Sequence, residues 1–273
     1  MATESRNAPT EQSDEKSNTS LVLWEVRGAV GTLTLNNPAR RNVLSRAMLT
    51  ELAARLQVAS QDRSIKCLIL RAAGPVFSSG HDLAEVTASS PGELESLFAL
   101  CTRVMEAIRL APQPVIAEVQ GLATAAGCQL AATCDLVVAA EGAAFATPGV
   151  KIGLFCSTPA VALSRAVPTK QALEMLFTGT PISAQQAERL GLVNRVVPPA
   201  ELATTTRELA ERIANASGDT LALGKQAFYA QLGLDRPRAY ELAQGVMVDN
   251  AQREDAIEGM QAFLEKRPPQ WRH

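Results

Sequence analysis

The chain has 273 residues, of which 47% are hydrophobic, 20% charged and 4% aromatic, with a formal net charge of −2. That length suits one large domain or a domain with an appendage, and the apolar content excludes global disorder. Lys plus Arg at 26 against Asp plus Glu at 28 leaves no basic excess for phosphates, so no nucleic-acid partner is expected.

Five cysteines (Cys67, Cys101, Cys128, Cys134, Cys156) are an odd number without a C-x-x-C pair. Reduced thiols in a cytosolic setting are the expectation, with neither a disulfide framework nor a metal site. The histidines are His81 and the terminal His273, so a Ser-His-Asp hydrolase would have to use His81. Residues 1–20 have no apolar core for a secretory signal, and Glu4, Glu11, Asp14 and Glu15 argue against a transit peptide. This stretch reads as a disordered tail on a cytoplasmic protein. The apolar stretch 115–140 is interrupted by Glu118, Gln120, Gln129 and Asp135, so no membrane partner is expected.

In chain order, LVLWEVRG and TLTLN form a hairpin that ends at Asn37-Pro38. Apolar residues at Met48, Leu49, Leu52, Leu56 and Ala59 predict a helix from Ser45, its cap, to about Asp62. KCLILR (66–71) is a buried strand, followed by the loop AAGPVFSSGHD and a helix over 91–110. PVIAEV (114–119) and DLVVAA are further buried strands, with a small-residue helix over about 125–133 between them. A strand-like excursion reaches Leu154. Helices follow over about 159–166, 169–177, 183–190, 200–216, 219–231, 236–251 and 254–266, with one strand at LVNRVV. Strand–helix–strand alternation makes the class α/β.

Two loops end buried strands and expose backbone before a helix. In Ser78-Ser79-Gly80-His81-Asp82, Gly80 can turn the chain and free the His81 amide, while Asp82 can hold the turn. In 121–129 small residues permit close approach, and a helix beginning near Ala126 points its positive end at the loop. Converging amides and a helix N-terminus suit an enolate or tetrahedral oxyanion. An ordinary strand–helix connection is the plainer reading of either loop alone.

The ordered segments LNNP, FSSGHDL, PVIAEVQGLATAAGCQLAATCDLVVA, FATPGVKIGLFCSTP, EMLFTG, GLVNRVV and FLEKRPPQW resemble the crotonase (enoyl-CoA hydratase/isomerase) superfamily, from about Leu21 to the C-terminus. SSGHDL, AAGCQLAA and GLFCSTP look most like its enoyl-CoA hydratase domain-containing protein 3 type. The resemblance implies a ClpP-like spiral of ββα repeats over residues 21–200 and a helical subunit-contact region over 201–273. It also implies a homotrimer or dimer of trimers that binds acyl-CoA thioesters, with no cofactor beyond the coenzyme A moiety. The thioester oxygen would be held by the amides of His81 and Ala126. Arg40, Arg41 and Val43 would lie against the pantetheine, with Gly80, Asp82, Leu83 and Ala84 around the substrate. Phe263 and Lys266 would contact the nucleotide across a subunit boundary.

Hydratases of this superfamily use two glutamates, one in G-C-E-L and one after the proline of the next strand-like segment. Gln129 and Gly149 stand at those positions, and neither ionises. Each acid or base is typically worth about 10²–10⁴ in rate, so hydration is expected to be very slow or absent. Gln129 could still orient a water, and Gly149 is expected only to enlarge the cavity, so glutamates restored at both positions should raise hydration. Cys156 is a nucleophile or, more simply, a buried structural thiol. The His81 ring packs or caps, Glu85 reads as a solvated helix residue, and Glu118 is the odd polar group in a buried strand. The leading expectation is an acyl-CoA-binding protein of fatty-acid metabolism carrying the enoyl-CoA hydratase (lyase) label. The competing one is a non-catalytic binding or regulatory homologue. An unrelated serine hydrolase lacks G-x-S-x-G.

Overall fold

The structure, a computed structural model, describes residues 20–272. All of the expected tail but Ser20, and His273, lie outside the described residues. The first part of the chain forms β1 (Val22–Arg27), β2 (Val30–Leu35), α1 (Arg46–Gln61), β3 (Cys67–Ala72), β4 (Val76–Ser78), α2 (Leu83–Ala88) and α3 (Pro91–Leu110). The middle forms β5 (Val115–Val119), β6 (Leu122–Thr124), α4 (Ala126–Thr133), β7 (Leu136–Ala140), β8 (Ala144–Ala146), α5 (Ser157–Ala166) and α6 (Thr169–Thr178). Then come β9 (Ile182–Ser183), α7 (Ala184–Leu190), β10 (Arg195–Val197), α8 (Leu202–Ala214), α9 (Gly218–Gln231), α10 (Arg236–Ala251) and α11 (Glu254–Glu265).

The strands build two sheets, ordered β1-β2-β3-β5-β7-β10 and β4-β6-β8-β9. Consecutive pairs β3/β4, β5/β6 and β7/β8 each place one strand in each sheet before the chain enters a helix. The result is the spiral of strand–strand–helix turns of a crotonase fold. Pairing is parallel except in the β1/β2 hairpin and between β8 and β9.

The larger sheet is covered on both faces, which is why β2 is buried along its whole length. Leu33, Leu35, Leu68, Leu70 and Val119 join the main core with Leu49, Leu52 and Val104 of α1 and α3. Val30, Ile69, Ile116 and Val138 face the other way, against Leu202, Leu209 and Ala210 of α8. Helix α9 is fastened to this body by Lys225. Its buried ammonium donates to Ile108 O (2.9 Å) and Gln113 O (3.0 Å), and it pairs with Asp135 Oδ2 at 2.7 Å. Asp135 also accepts from the Val115 amide and the Tyr229 hydroxyl. Beyond that anchor, α9–α11 leave many apolar side chains in water, including Phe228, Tyr240, Met247 and Leu264.

Candidate functional site

The first loop is braced by residues far from it in sequence. Asn42, fully buried, donates through Nδ2 to Ala73 O and Val76 O, each at 2.8 Å, and accepts the Asn37 amide on Oδ1. Arg41 and Asn42 both adopt left-handed backbone, with φ of 52° and 50°. This turn receives the next one: Ser78 Oγ donates to Asn42 O, and the Ser79 amide donates to Arg41 O. The Gly80 carbonyl accepts the Leu44 amide at 2.8 Å, and Gly80 itself takes φ +82°. Asp82 caps α2, accepting the Ala84 amide on Oδ1, while its Oδ2 pairs with Arg40 at 2.8 Å. The amide between Gly80 and Asp82, that of His81, has no acceptor among the described residues.

The His81 ring is held as well. Its Nδ1–H donates to Leu44 O (3.2 Å), since a carbonyl can only accept, and its edge meets Phe98 with centroids 5.2 Å apart. Nε2 is then the unprotonated nitrogen, buried without a partner among the described residues. Burial pushes the imidazole below its ordinary pKa, so the ring is neutral at pH 7.

The second loop depends on an unusual backbone. Ala125, bonded through its amide to Ala146 O of β8, takes φ 52° and ψ −120°, a region non-glycine residues seldom occupy. That turn starts α4 at Ala126, whose amide, at the first helical position, has no acceptor among the described residues. The two loops abut. A Cβ on Gly80 would lie 3.0 Å from the Ala126 nitrogen, and one on Gly127 would lie 2.4 Å from Ser78 O.

Beside them is a cavity of about 480 Å³. It is lined by Ser79, His81, Thr124 and Ala125 of the two loops and by the apolar Leu83, Phe98, Ile152, Leu154 and Phe155. Among the described residues the ionisable groups lining it are His81, Lys151 and Cys156, with no carboxylate. A groove of about 690 Å³ lies elsewhere, on the outer face of α10, away from both amides.

Several residues expected around a ligand stand apart from this cavity. Arg40 is committed to Asp82, and Arg41, Val43, Gly80, Asp82, Ala84 and the buried Ala126 do not line the space, although Ala125 does. Phe263 is 83% exposed on α11 and Lys266 ends that helix in left-handed conformation; neither reaches the cavity of its own chain. Gln129 is buried on α4, its Oε1 lacking a partner among the described residues, and it too does not line the cavity.

Gly149 does not enlarge the cavity, contrary to expectation. Leu154 turns back to donate its amide to Gly149 O at 3.0 Å, so a Cβ on Gly149 would lie 1.9 Å from Leu154 O and 2.8 Å from Cys156 Sγ. The space is filled by backbone. Burial pushes the Cys156 thiol up, which leaves it protonated and poorly nucleophilic at neutral pH. Burial likewise raises the Glu118 carboxyl, which is not among the residues lining the cavity. Among the described residues no group of side chains is arranged to hold a metal, and no helix is long and apolar enough to cross a membrane.

Known proteins bear on this site. The family model for enoyl-CoA hydratase/isomerase matches residues 25–273. The enoyl-CoA hydratase domain-containing protein 3 of Rattus norvegicus is 50% identical over 254 residues, 93% of this chain and 85% of the rat protein. A crystal structure of an enoyl-CoA hydratase from Mycobacterium smegmatis superposes with a TM-score of 0.91 at 47% identity, covering 93% of this chain and all of that one. The human domain-containing protein 3 crystal structure gives 0.90 at 50% identity, over 92% of this chain and all of its own. The rat protein and its human counterpart are named mitochondrial, which overturns the cytoplasmic expectation drawn from the acidic N-terminal stretch.

Proposed function

Because this chain belongs to the enoyl-CoA hydratase/isomerase family, we propose that it binds acyl-CoA and enoyl-CoA thioesters in fatty-acid metabolism, with the amides of His81 and Ala126 receiving the thioester oxygen. One observation carries the reading: two amides without acceptors, on abutting loops, beside an apolar cavity. The start of α4 adds fixed positive potential there, with no ionisable group needed. The strained Ala125 turn supports the same role, since such backbone persists where the surroundings over-determine it. Gly80, Asp82, Leu83 and Ala84 hold and flank the first amide. Arg40, Arg41 and Val43 shape the neighbouring turn, on which pantetheine would lie. Coenzyme A is then part of the substrate, and no further cofactor is called for.

Hydration by the family's two-glutamate route is not supported. Gln129 and Gly149 stand where the resemblance puts those glutamates, and the cavity wall supplies no carboxylate instead. The His81 nitrogen that could take a proton is buried against protein. The absence of a lining carboxylate favours a binding or regulatory homologue as the second reading. Assembly belongs to the same proposal. The exposed apolar faces of α9–α11 suit burial between copies in a homotrimer or dimer of trimers, which would also bring Phe263 and Lys266 to a neighbour's ligand.

A panel of acyl-CoA and enoyl-CoA thioesters, measured for binding and for turnover, tests this reading. Binding with crotonyl-CoA hydration far below ordinary enzyme rates is expected. Failure of every thioester to bind better than free coenzyme A would refute it. Light scattering should give at least three times the 29.0 kDa chain mass, and a monomer would refute the assembly.

A further inference from the structure

Resting on that acyl-CoA reading, we propose that the cavity selects medium-length and longer apolar acyl chains, octanoyl and above, over short ones, and that Ile152 and Phe155 set this preference. The thioester end is fixed by the loops at His81 and Ala126, so the acyl chain runs into the cavity lined by Leu83, Phe98, Ile152, Leu154 and Phe155. Ile152 and Leu154 lie in the Gly149 turn and Phe155 directly follows it. Leu154 is bonded back to Gly149 and Gly153 takes left-handed backbone, so segment 149–154 is a tight turn. Ile152, Leu154 and Phe155 remain 61%, 45% and 43% exposed, all at one cavity, with the Phe155 ring 6.2 Å from that of Phe177. Leu83, which also lines the cavity, is 49% exposed.

Size and polarity point the same way. A cavity of about 480 Å³ holds well over ten groups of water size at ~30 Å³ each, so a butyryl chain would leave most of it unfilled. The lining is mainly apolar, and some of its polar groups are already engaged. The His81 Nδ1 is bound to Leu44 O, the Ser157 hydroxyl donates to Phe155 O, and Ser79 and Thr124 flank the thioester position. No carboxylate is there to receive a water or hydroxyl on the chain.

The experiment is calorimetric titration of the whole protein with free coenzyme A, butyryl-CoA, octanoyl-CoA and dodecanoyl-CoA. A fully buried methylene adds about four-fold in affinity, so the four that separate butyryl from octanoyl give up to about 200-fold. A gain of at least ten-fold is expected from butyryl to octanoyl. Butyryl and octanoyl within three-fold of each other, both tighter than free coenzyme A, would overturn the chain preference and leave the thioester reading standing. No thioester tighter than free coenzyme A would overturn both. Ile152→Ser and Phe155→Ser change exposed side chains and should fold. Each is expected to lower the octanoyl-to-butyryl affinity ratio several-fold. An unchanged ratio in both would overturn the assignment of these residues.

Discussion

Replacing Gly149 with alanine or glutamate is expected to disrupt the turn it sits in and to restore no hydration. A Cβ there would stand 1.9 Å from Leu154 O, a backbone atom that cannot swing aside as a side chain would. Relief requires the 149–154 turn to open. That endangers the hydrogen bonds from Leu154 N to Gly149 O (3.0 Å) and from Gly153 N to Val150 O (3.3 Å). Each is worth about 1 kcal/mol net, and overpacking adds ~1–3 kcal/mol, for a total of about 3–5 kcal/mol. In a chain of this size that lowers Tm by roughly 6–20 °C. Thermal unfolding of Gly149→Ala, followed by far-ultraviolet circular dichroism, reads the loss directly. The Gln129→Glu, Gly149→Glu double variant should be less stable still and gain no hydratase activity with crotonyl-CoA. Wild-type Tm in Gly149→Ala, or turnover of about 1–10³ s⁻¹ in the double variant, would refute the reasoning.

Three further outcomes follow from other contacts. Lys225→Met strands Asp135 and two carbonyls in the interior, so a loss of about 3–5 kcal/mol is expected in urea unfolding, and a loss under about 1 kcal/mol would rule out the anchor. Gly80→Ala combines φ +82° with a Cβ 3.0 Å from the Ala126 nitrogen. Octanoyl-CoA affinity should fall about ten-fold or more, the worth of one strong hydrogen bond, while unchanged affinity in the folded variant would count against that amide. His81 is held below its ordinary pKa of 6.5 by burial, so the unfolded chain takes up its proton first as pH falls. Stability is therefore lost as pH drops below about 6.5 until the folded ring also titrates. The His81→Gln variant should show a shallower loss between about pH 7 and pH 5 than the wild type, and equal slopes would refute it.

Much of the fold is legible in the residues because its larger elements carry local signals. The Met48–Ala59 periodicity and the Ser45 cap define α1, with Ser45 Oγ accepting the Met48 amide as expected. Pro91 opens α3, and Gly179 and Gly191 close α6 and α7 in left-handed conformation. The short strands β4 and β6, three residues each, have no period to read, and their pairing comes from the spiral. The six-residue α2 is too short to show a period, although Glu85 reads as one of its residues.

The site divides in the same way. Gly80 and the amide after it are visible as a turn, because glycine announces positive φ. Ala125 gives no such signal, although its φ is also positive. Asn42 carries no local signal between Arg40, Arg41 and Val43, yet its partners, 31 and 34 residues away, brace the loop. Gly149 reads as empty space from sequence because the atom that fills it is a carbonyl five residues on. Lys225 reads as one more helical charge, and only the fold supplies Asp135 to bury it against.

The central claim is that two backbone amides grip the thioester oxygen. The infrared spectrum of octanoyl-CoA labelled with heavy carbon at the thioester carbonyl, bound at saturation, tests it most directly. Donation from the His81 and Ala126 amides polarises the bond, so the labelled stretch should move to lower frequency than in buffer and should return toward the buffer value in Gly80→Ala. A bound carbonyl with the frequency it has in water, or a lowered one unaffected by Gly80→Ala, would contradict the account.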